Sequence, residues 1–197
     1  MNKYNCVVVG SGLYLPLEPA LQLRARVYCK EKAWLVCDDD IEVEQDVDYH
    51  SLHMFMTTKE DPTVAIANLR LTPKEFSPMQ LVAPIASEGD WEIGRLCIDP
   101  AYRGRETSTI LIHLFGMLYQ VSVAQHIRGW SALMSADVLN LLAHYGINFD
   151  HVYDPVEYHG PRVPVSGSVA SISAGVAHIR PDVWAALHKV EYTRDGD

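Results

Sequence analysis

Glu92 and Arg95, in Trp91-Glu92-Ile93-Gly94-Arg95-Leu96, are a carboxylate and a guanidinium on a run that reads as a β-strand. Strict alternation would send them to opposite faces. Gly94 lies between them, and an interior strand glycine marks a bulge that resets the alternation, so both can reach one cleft. There the carboxylate can take a proton from an attacking amine, directly or through water, while the guanidinium orients a carbonyl or a carboxylate. The plain alternative is a surface ion pair. Arg103-Gly104-Arg105 opens the next helix, and exposed amides beside two cations suit a phosphate, as in phosphopantetheine or coenzyme A. Against that stands a charged turn that binds nothing.

Four further clusters carry weaker chemistry. Glu44, Asp46 and Asp48 alternate, and on an extended segment they would form a rim of carboxylates able to hold an ammonium or support arginines. A calcium loop is not met, because no glycine sits at the turn position. His50 and His53 on a strand would point to opposite faces, so no metal site is expected. Gly10-Ser11-Gly12 has Leu15 where a dinucleotide fingerprint needs its third glycine. Cys97 has no histidine spaced to activate it and reads as a packed strand cysteine.

The elements that must position these residues follow from periodicity. Met1 to Leu17 reads as a first strand and turn rather than a signal peptide, since Gly10, Gly12 and Pro16 break the apolar run. Pro19 opens a helix over Ala20 to Lys32, on which Arg24 and Tyr28 share a face. Ser51 to Thr57 and Thr63 to Leu71 alternate as a hairpin, and Trp91 to Ile98 is a central strand stopped by Asp99-Pro100. Thr107 to Ile127 has no charge and nearly the ~20 residues of a membrane span, but its apolar positions fall at helical spacing and predict a helix buried on a sheet. A strand over Gly129 to Met134, a helix over Ala136 to Tyr145, a strand over Phe149 to Tyr158 and a helix over Pro181 to Val190 complete the order.

Composition bounds the function. The chain has 197 residues, 48% hydrophobic and 21% charged, with a net charge of −9, and no linker divides it, so residues 1–197 read as one domain. Asp38, Asp39, Asp40, Glu42, Glu44, Asp46 and Asp48 concentrate the acid in one segment, leaving only −2 elsewhere. Such a balance argues against nucleic acid as a partner. Cys6, Cys29, Cys37 and Cys97 form no CxxC pair or secreted-scaffold spacing, which predicts a reduced, cytoplasmic chain.

Together these pieces resemble the acyl-homoserine-lactone synthases and their relatives the N-acyl amino acid synthases, built on the GNAT acyltransferase fold. The series runs through Arg24, Tyr28 and Trp34, then Glu44, Asp46 and Asp48, Arg70, Glu92 with Arg95, and Leu114, Phe115 and Tyr119, covering about residues 20 to 150. The resemblance implies an α/β (α+β) fold whose mixed central sheet, flanked by helices, splays into a V between two central strands. It implies transfer of a fatty acyl chain from acyl carrier protein to an amino-acid amine, with the thioester donor as substrate and no permanently bound cofactor. Glu92 would be the general base, with Arg95 beside it. Arg24, Tyr28, Trp34, Asp46, Asp48 and Arg70 would shape the acceptor side. Leu96, Cys97 and Ile98 with Arg103, Gly104 and Arg105 would hold the thioester and its phosphate. Leu114, Leu118, Ser131, Leu133 and Met134 would line the acyl chain, with Trp130 adding to an apolar lining that favours a long one.

The chain departs from the family at two places: Glu106 stands three positions after Arg103 where the GNAT phosphate loop has glycine, and Gly94 stands where a serine is usual. It therefore looks more like a long-chain N-acyl amino acid synthase, of the N-acyltyrosine type, than a lactone synthase using S-adenosylmethionine. An acetyl-CoA acetyltransferase and a non-catalytic lipid-binding or sensor domain are the other readings. Arg24, Arg26, Lys30, Lys32, Arg103 and Arg105 are expected to form one basic entrance for the acidic carrier protein. Membrane contact is expected to be weak, through the lipid product alone.

Overall fold

Residues rich in β-branched and sulfur-containing side chains build a mixed sheet whose central strands are buried on both faces. The computed structural model describes residues 3–12, 15–37, 40–85 and 90–195. In chain order the elements are β1 (Tyr4–Val9), α1 (Glu18–Arg24), α2 (Gln45–His50), β2 (Leu52–Thr58), β3 (Ala65–Pro73), β4 (Asp90–Ile98), α3 (Thr107–Ala124), β5 (Gly129–Met134) and α4 (Ala136–His144). There follow β6 (Asp150–His151), β7 (Val156–Glu157), β8 (Pro161–Ser168), α5 (Val169–Ile179), α6 (Pro181–Leu187) and β9 (Thr193–Asp195). The strand order is β6-β8-β5-β4-β3-β2-β1-β9, with β7 beside β8.

Alternation on β2 assigns the faces. Met54 and Met56 pack with Ile110, Leu114 and Leu118 of α3, whereas Phe55 packs with Leu21 and Leu23 of α1. Helices on both sides explain why β2 and β3 are almost wholly buried. Among the described residues α3 is the one helix long and apolar enough to cross a membrane, and half of it is buried against this sheet.

β4 and β5 run parallel and pair only at Asp90↔Gly129, Trp91↔Trp130 and Glu92↔Ser131, then part. This is the V-shaped splay, and the mixed α/β architecture is the one expected. β3 and β4 remain paired, but Arg70 faces Gly94 and Asn68 faces Cys97, so two residues of β4 oppose Leu69 alone. The bulge therefore sits at Arg95, with φ of 52°, rather than at Gly94 as expected. Asn68 Nδ2 holds it by donating to the Arg95 carbonyl at 2.9 Å.

Several expectations need correction. The first helix is α-helical only to Arg24; Ala25–Glu31 is wound as a π-helix, with Lys32 N–H reaching back five residues to the Val27 carbonyl at 3.0 Å. Glu44 to Asp48 is not extended. Residues Gln45–His50 form a helix because the Asp48 carboxylate accepts from the Glu44 N–H at 2.7 Å. Asp38 and Asp39 lie outside the described residues. The strand expected over Phe149 to Tyr158 is two short pieces, and β8 lies beyond it. Its Pro161 is the first residue of the strand, opposite Glu157 of β7, and its Pro164 falls between the short β6 and β7 ladders. Cys29 and Cys37 are joined in a disulfide, which the spacing did not suggest.

Candidate active site

Where β4 leaves β5, a cleft of about 180 Å³ opens. Its floor is Glu92 to Leu96, its deep end Leu133, Met134, Ser135 and Val138, and its outer walls Tyr28, Trp34 and Leu35 on one side and Tyr158, His159 and Arg162 on the other. Trp34 stacks on Tyr28 with ring centroids 6.0 Å apart, and the Arg162 guanidinium lies 4.9 Å from the Trp34 ring, so the walls meet over the cleft. The Cys29–Cys37 bond closes the loop that carries Trp34 and Leu35.

Glu92 is 7% exposed. Its Oε2 accepts from the Ser77 hydroxyl and, at 3.2 Å, from the Met79 N–H. Its Oε1 makes no hydrogen bond among the described residues and faces Gly94, where a Cβ would lie only 3.2 Å away. Burial pushes the Glu92 pKa above the ordinary carboxylate range, opposed by the Ser77 hydrogen bond and the nearby Arg70 charge. One oxygen is anchored and the other presented, which suits a group that must accept a proton in a fixed place.

Behind the floor lies a buried ionic network. Arg24 makes a bidentate pair with Asp48 at 2.8 and 3.0 Å and an ion pair with Glu42. Arg70 reaches Asp48 at 2.8 Å and Glu44 at 2.9 Å, and Arg95 reaches Glu44 at 2.9 Å and Glu42 at 3.2 Å. Burial disfavours both charges, yet Arg24 prevails and holds Asp48 and Glu42 below their ordinary pKa values. His53, buried and bonded through Nε2 to the Asp48 carbonyl at 3.0 Å, is lowered by burial to about 4 and is neutral. His50 stacks instead on Phe76, so the two histidines do not converge.

Of the residues singled out from sequence, Tyr28, Trp34, Glu92, Arg95, Leu96, Leu133 and Met134 line the cleft, and Arg24, Asp48 and Arg70 lie in the network. The others lie elsewhere. Asp46 is exposed on α2, because a helix, unlike a strand, turns residues two apart to different sides. Leu114 and Leu118 are fully buried in the core between α3 and the sheet, and Ser131 is tied to Ser166 at 3.3 Å. Trp130 turns to α3 and donates to Ser122 Oγ at 2.9 Å, so the expected apolar lining is shorter. Cys97 is buried beside Tyr28 on the α1 face, where burial raises its thiol to about 12, and Ile98 offers its carbonyl to Arg103 at 3.0 Å. Arg103, Gly104 and Arg105 do not line the cleft, because Glu31 takes Arg103 in a bidentate pair at 2.7 Å.

The expected basic entrance is not present as such. Arg24 is buried, Arg26 pairs with Asp99, Lys30 with Asp40, and Lys32 and Arg103 with Glu31. Arg105 alone of the six is exposed without a carboxylate among the described residues. Sequence reasoning missed Ser77 and Glu42 in these roles, and Tyr158, His159 and Arg162 of the outer wall. The His159-Gly160-Pro161 turn was the available signal for the last three.

The chain has the fold of the acyl-homoserine-lactone synthases. It is similar to the CoA-dependent synthase BjaI bound to SAM and isopentyl-CoA, with TM-score 0.78 at 16% identity over 98% of this chain and 94% of that one. The synthase LasI matches with TM-score 0.72 at 14% identity over 86% and 91%. An acyl-CoA N-acyltransferase from Pseudomonas aeruginosa matches with TM-score 0.57 at 18% identity over 83% and 97%. No family sequence model matches the chain, and no curated protein matches it in sequence.

Proposed function

We propose that the chain is an N-acyltransferase that moves a long-chain fatty acyl group from a phosphopantetheine thioester to the α-amine of an amino acid, with tyrosine the first candidate. The observation that carries this reading is Glu92, with Oε2 anchored and Oε1 open at the point where β4 loses its β5 partner. The neutral amine nitrogen attacks the thioester carbonyl, a C–N bond forms as the C–S bond breaks, the amine proton passes to Glu92, and Glu92 hands that proton to the departing pantetheine thiolate, directly or through water, which releases the thiol and restores the carboxylate. Beyond Glu92 no strand among the described residues pairs β4 on that side, which leaves an edge for the pantetheine arm and the carbonyl. The chain's length is set at the deep end, where Met134 and Leu133 must turn aside for a long acyl group.

Acyl carrier protein is the donor the sequence resemblance implies; the cytoplasm was expected from the cysteine spacing, but the Cys29–Cys37 disulfide removes the reduced chain on which that expectation rested. Coenzyme A is the second reading, favoured because the cations expected to meet an acidic carrier are paired within the chain and because BjaI is CoA-dependent. A lactone synthase using S-adenosylmethionine is favoured by the same neighbour. Mass spectrometry of lipid extracts from cells expressing the chain separates them. An N-acyl amino acid that is absent when Glu92→Gln is expressed supports the proposal; an acyl lactone would replace it with the second branch.

A further inference from the structure

Two groups on the outer wall are left without a counterpart. Arg162 uses Nη1 and Nη2 on the carbonyls of Pro161 and His159, at 3.0 and 2.7 Å, and lies over Trp34, but it has no ion pair among the described residues. The other cleft-lining arginine, Arg95, is neutralised by Glu42 and Glu44. Tyr158, four residues before Arg162, is partly buried in the same wall and its hydroxyl makes no hydrogen bond among the described residues. Tyr158 also lies near enough to Glu92, Glu44 and Arg95 to feel their charges. The cleft thus has a proton acceptor on its floor and an uncompensated cation with a free hydroxyl on one wall.

We propose that Arg162 and Tyr158 bind the α-carboxylate of the acceptor and so select amino acids over simple amines. This rests on the reading of the site as an amino-acid N-acyltransferase. An α-amino acid carries its amine and carboxylate on one carbon, so a carboxylate held at the wall delivers the amine to the floor. A planar guanidinium is suited to a carboxylate, and the tyrosine hydroxyl donates a further bond. The Trp34 ring, 4.9 Å from the Arg162 guanidinium, adds a cation–π contact that helps hold it on the cleft wall.

The test compares the best amino-acid acceptor with its methyl ester, which keeps the amine and loses the charge. The wild-type protein is expected to favour the acid at least tenfold in kcat/KM. Arg162→Gln should bring that ratio close to one by raising KM for the acid more than it lowers kcat, Arg162→Lys should restore part of it, and Tyr158→Phe should lower it a few-fold. A ratio unchanged by Arg162→Gln overturns the proposal. A second measurement needs no turnover: calorimetric binding of N-dodecanoyl-L-tyrosine and its methyl ester. Tighter binding of the acid, lost in Arg162→Gln, supports a carboxylate site even if no amino acid is acylated, in which case the proposed reaction fails on its own. Equal binding of acid and ester by the wild-type protein counts against the site.

Discussion

Glu92→Gln separates catalysis from stability. Glutamine keeps the shape of the side chain, and its carbonyl oxygen can take the position of Oε2, accepting from Ser77 and Met79 as the carboxylate does. The amide nitrogen then occupies the open position and cannot take a proton from an amine. Positioned general bases contribute about 10²- to 10⁴-fold, so kcat/KM for acyl transfer should fall by that factor, about 3 to 5 kcal/mol of transition-state stabilisation. Stability should move the other way. Burial raises the Glu92 pKa in the folded chain, so the unfolded chain ionises it more readily. The stability tied to this group is present below the unfolded pKa, about 4.3, and is lost as pH rises through the folded value. At pH 7 the neutral amide removes that loss, and the variant should melt no lower than the wild type. Thiol release from an acyl thioester in the presence of amino acids, together with calorimetric melting, reads both quantities. The wild-type rate should rise with pH on an acid limb placed above the ordinary carboxylate range, and that limb should vanish in the variant. A variant within threefold of wild type in kcat/KM, or one that melts well below it, would refute the assignment.

Gly94→Ala should fold and melt like the wild type but lose about tenfold in kcat/KM, because its Cβ would stand 3.2 Å from Glu92 Oε1 and displace it by tenths of an ångström. An unchanged rate would show that the open oxygen is not the reacting one. Asp48→Asn leaves Arg24 and Arg70 short of a buried partner and should cost about 3–5 kcal/mol in urea unfolding at pH 7. Because Asp48 is held below its ordinary pKa, its contribution is present above the unfolded value and fades as pH falls, so wild type and variant should converge in acid. Glu31→Gln frees Arg103 from its bidentate carboxylate. The pair is surface-exposed and worth at most about 1 kcal/mol, so donor KM should fall up to about fivefold if Arg103 takes the phosphate, and stay constant if it does not.

The parts of the fold that were readable from sequence are those where periodicity and burial agree. β2, β3 and β4 alternate, α3 repeats its apolar residues at helical spacing, and Asp99-Pro100 ends β4 where proline must. The short helix α2 was not readable, since six residues with two acids and histidine have no apolar stripe. It stands because Asp48 is claimed by Arg24 and Arg70, a contact across more than twenty residues of chain. β8 was hidden by its two prolines, and with it Tyr158 and Arg162 beside its turn. Trp130 was misplaced by parity: a one-residue shift on a strand moves a side chain from the cleft to the core. Ser77 had no signal at all, as a lone serine after β3 acquires meaning only when Glu92 is folded next to it.

The buried network explains why so much charge surrounds one carboxylate. Arg95 is a non-glycine residue held at φ of 52°, a backbone region that costs such residues about 1–3 kcal/mol and persists only where the surroundings over-determine it. Those surroundings are its pairs with Glu42 and Glu44, and the Asn68 bond to its carbonyl. Three arginines face three carboxylates, so the network is neutral without Glu92. The acid at the cleft is left with no cation within ion-pair distance among the described residues, and burial outweighs the more distant Arg70 and Arg95 charges to keep its proton affinity high. Glu42 and Glu44 therefore act on the site twice: they pair with Arg95 at the bulge beside the splay, and together with Asp48 they offset the charges of Arg24, Arg70 and Arg95, so that burial keeps Glu92 basic.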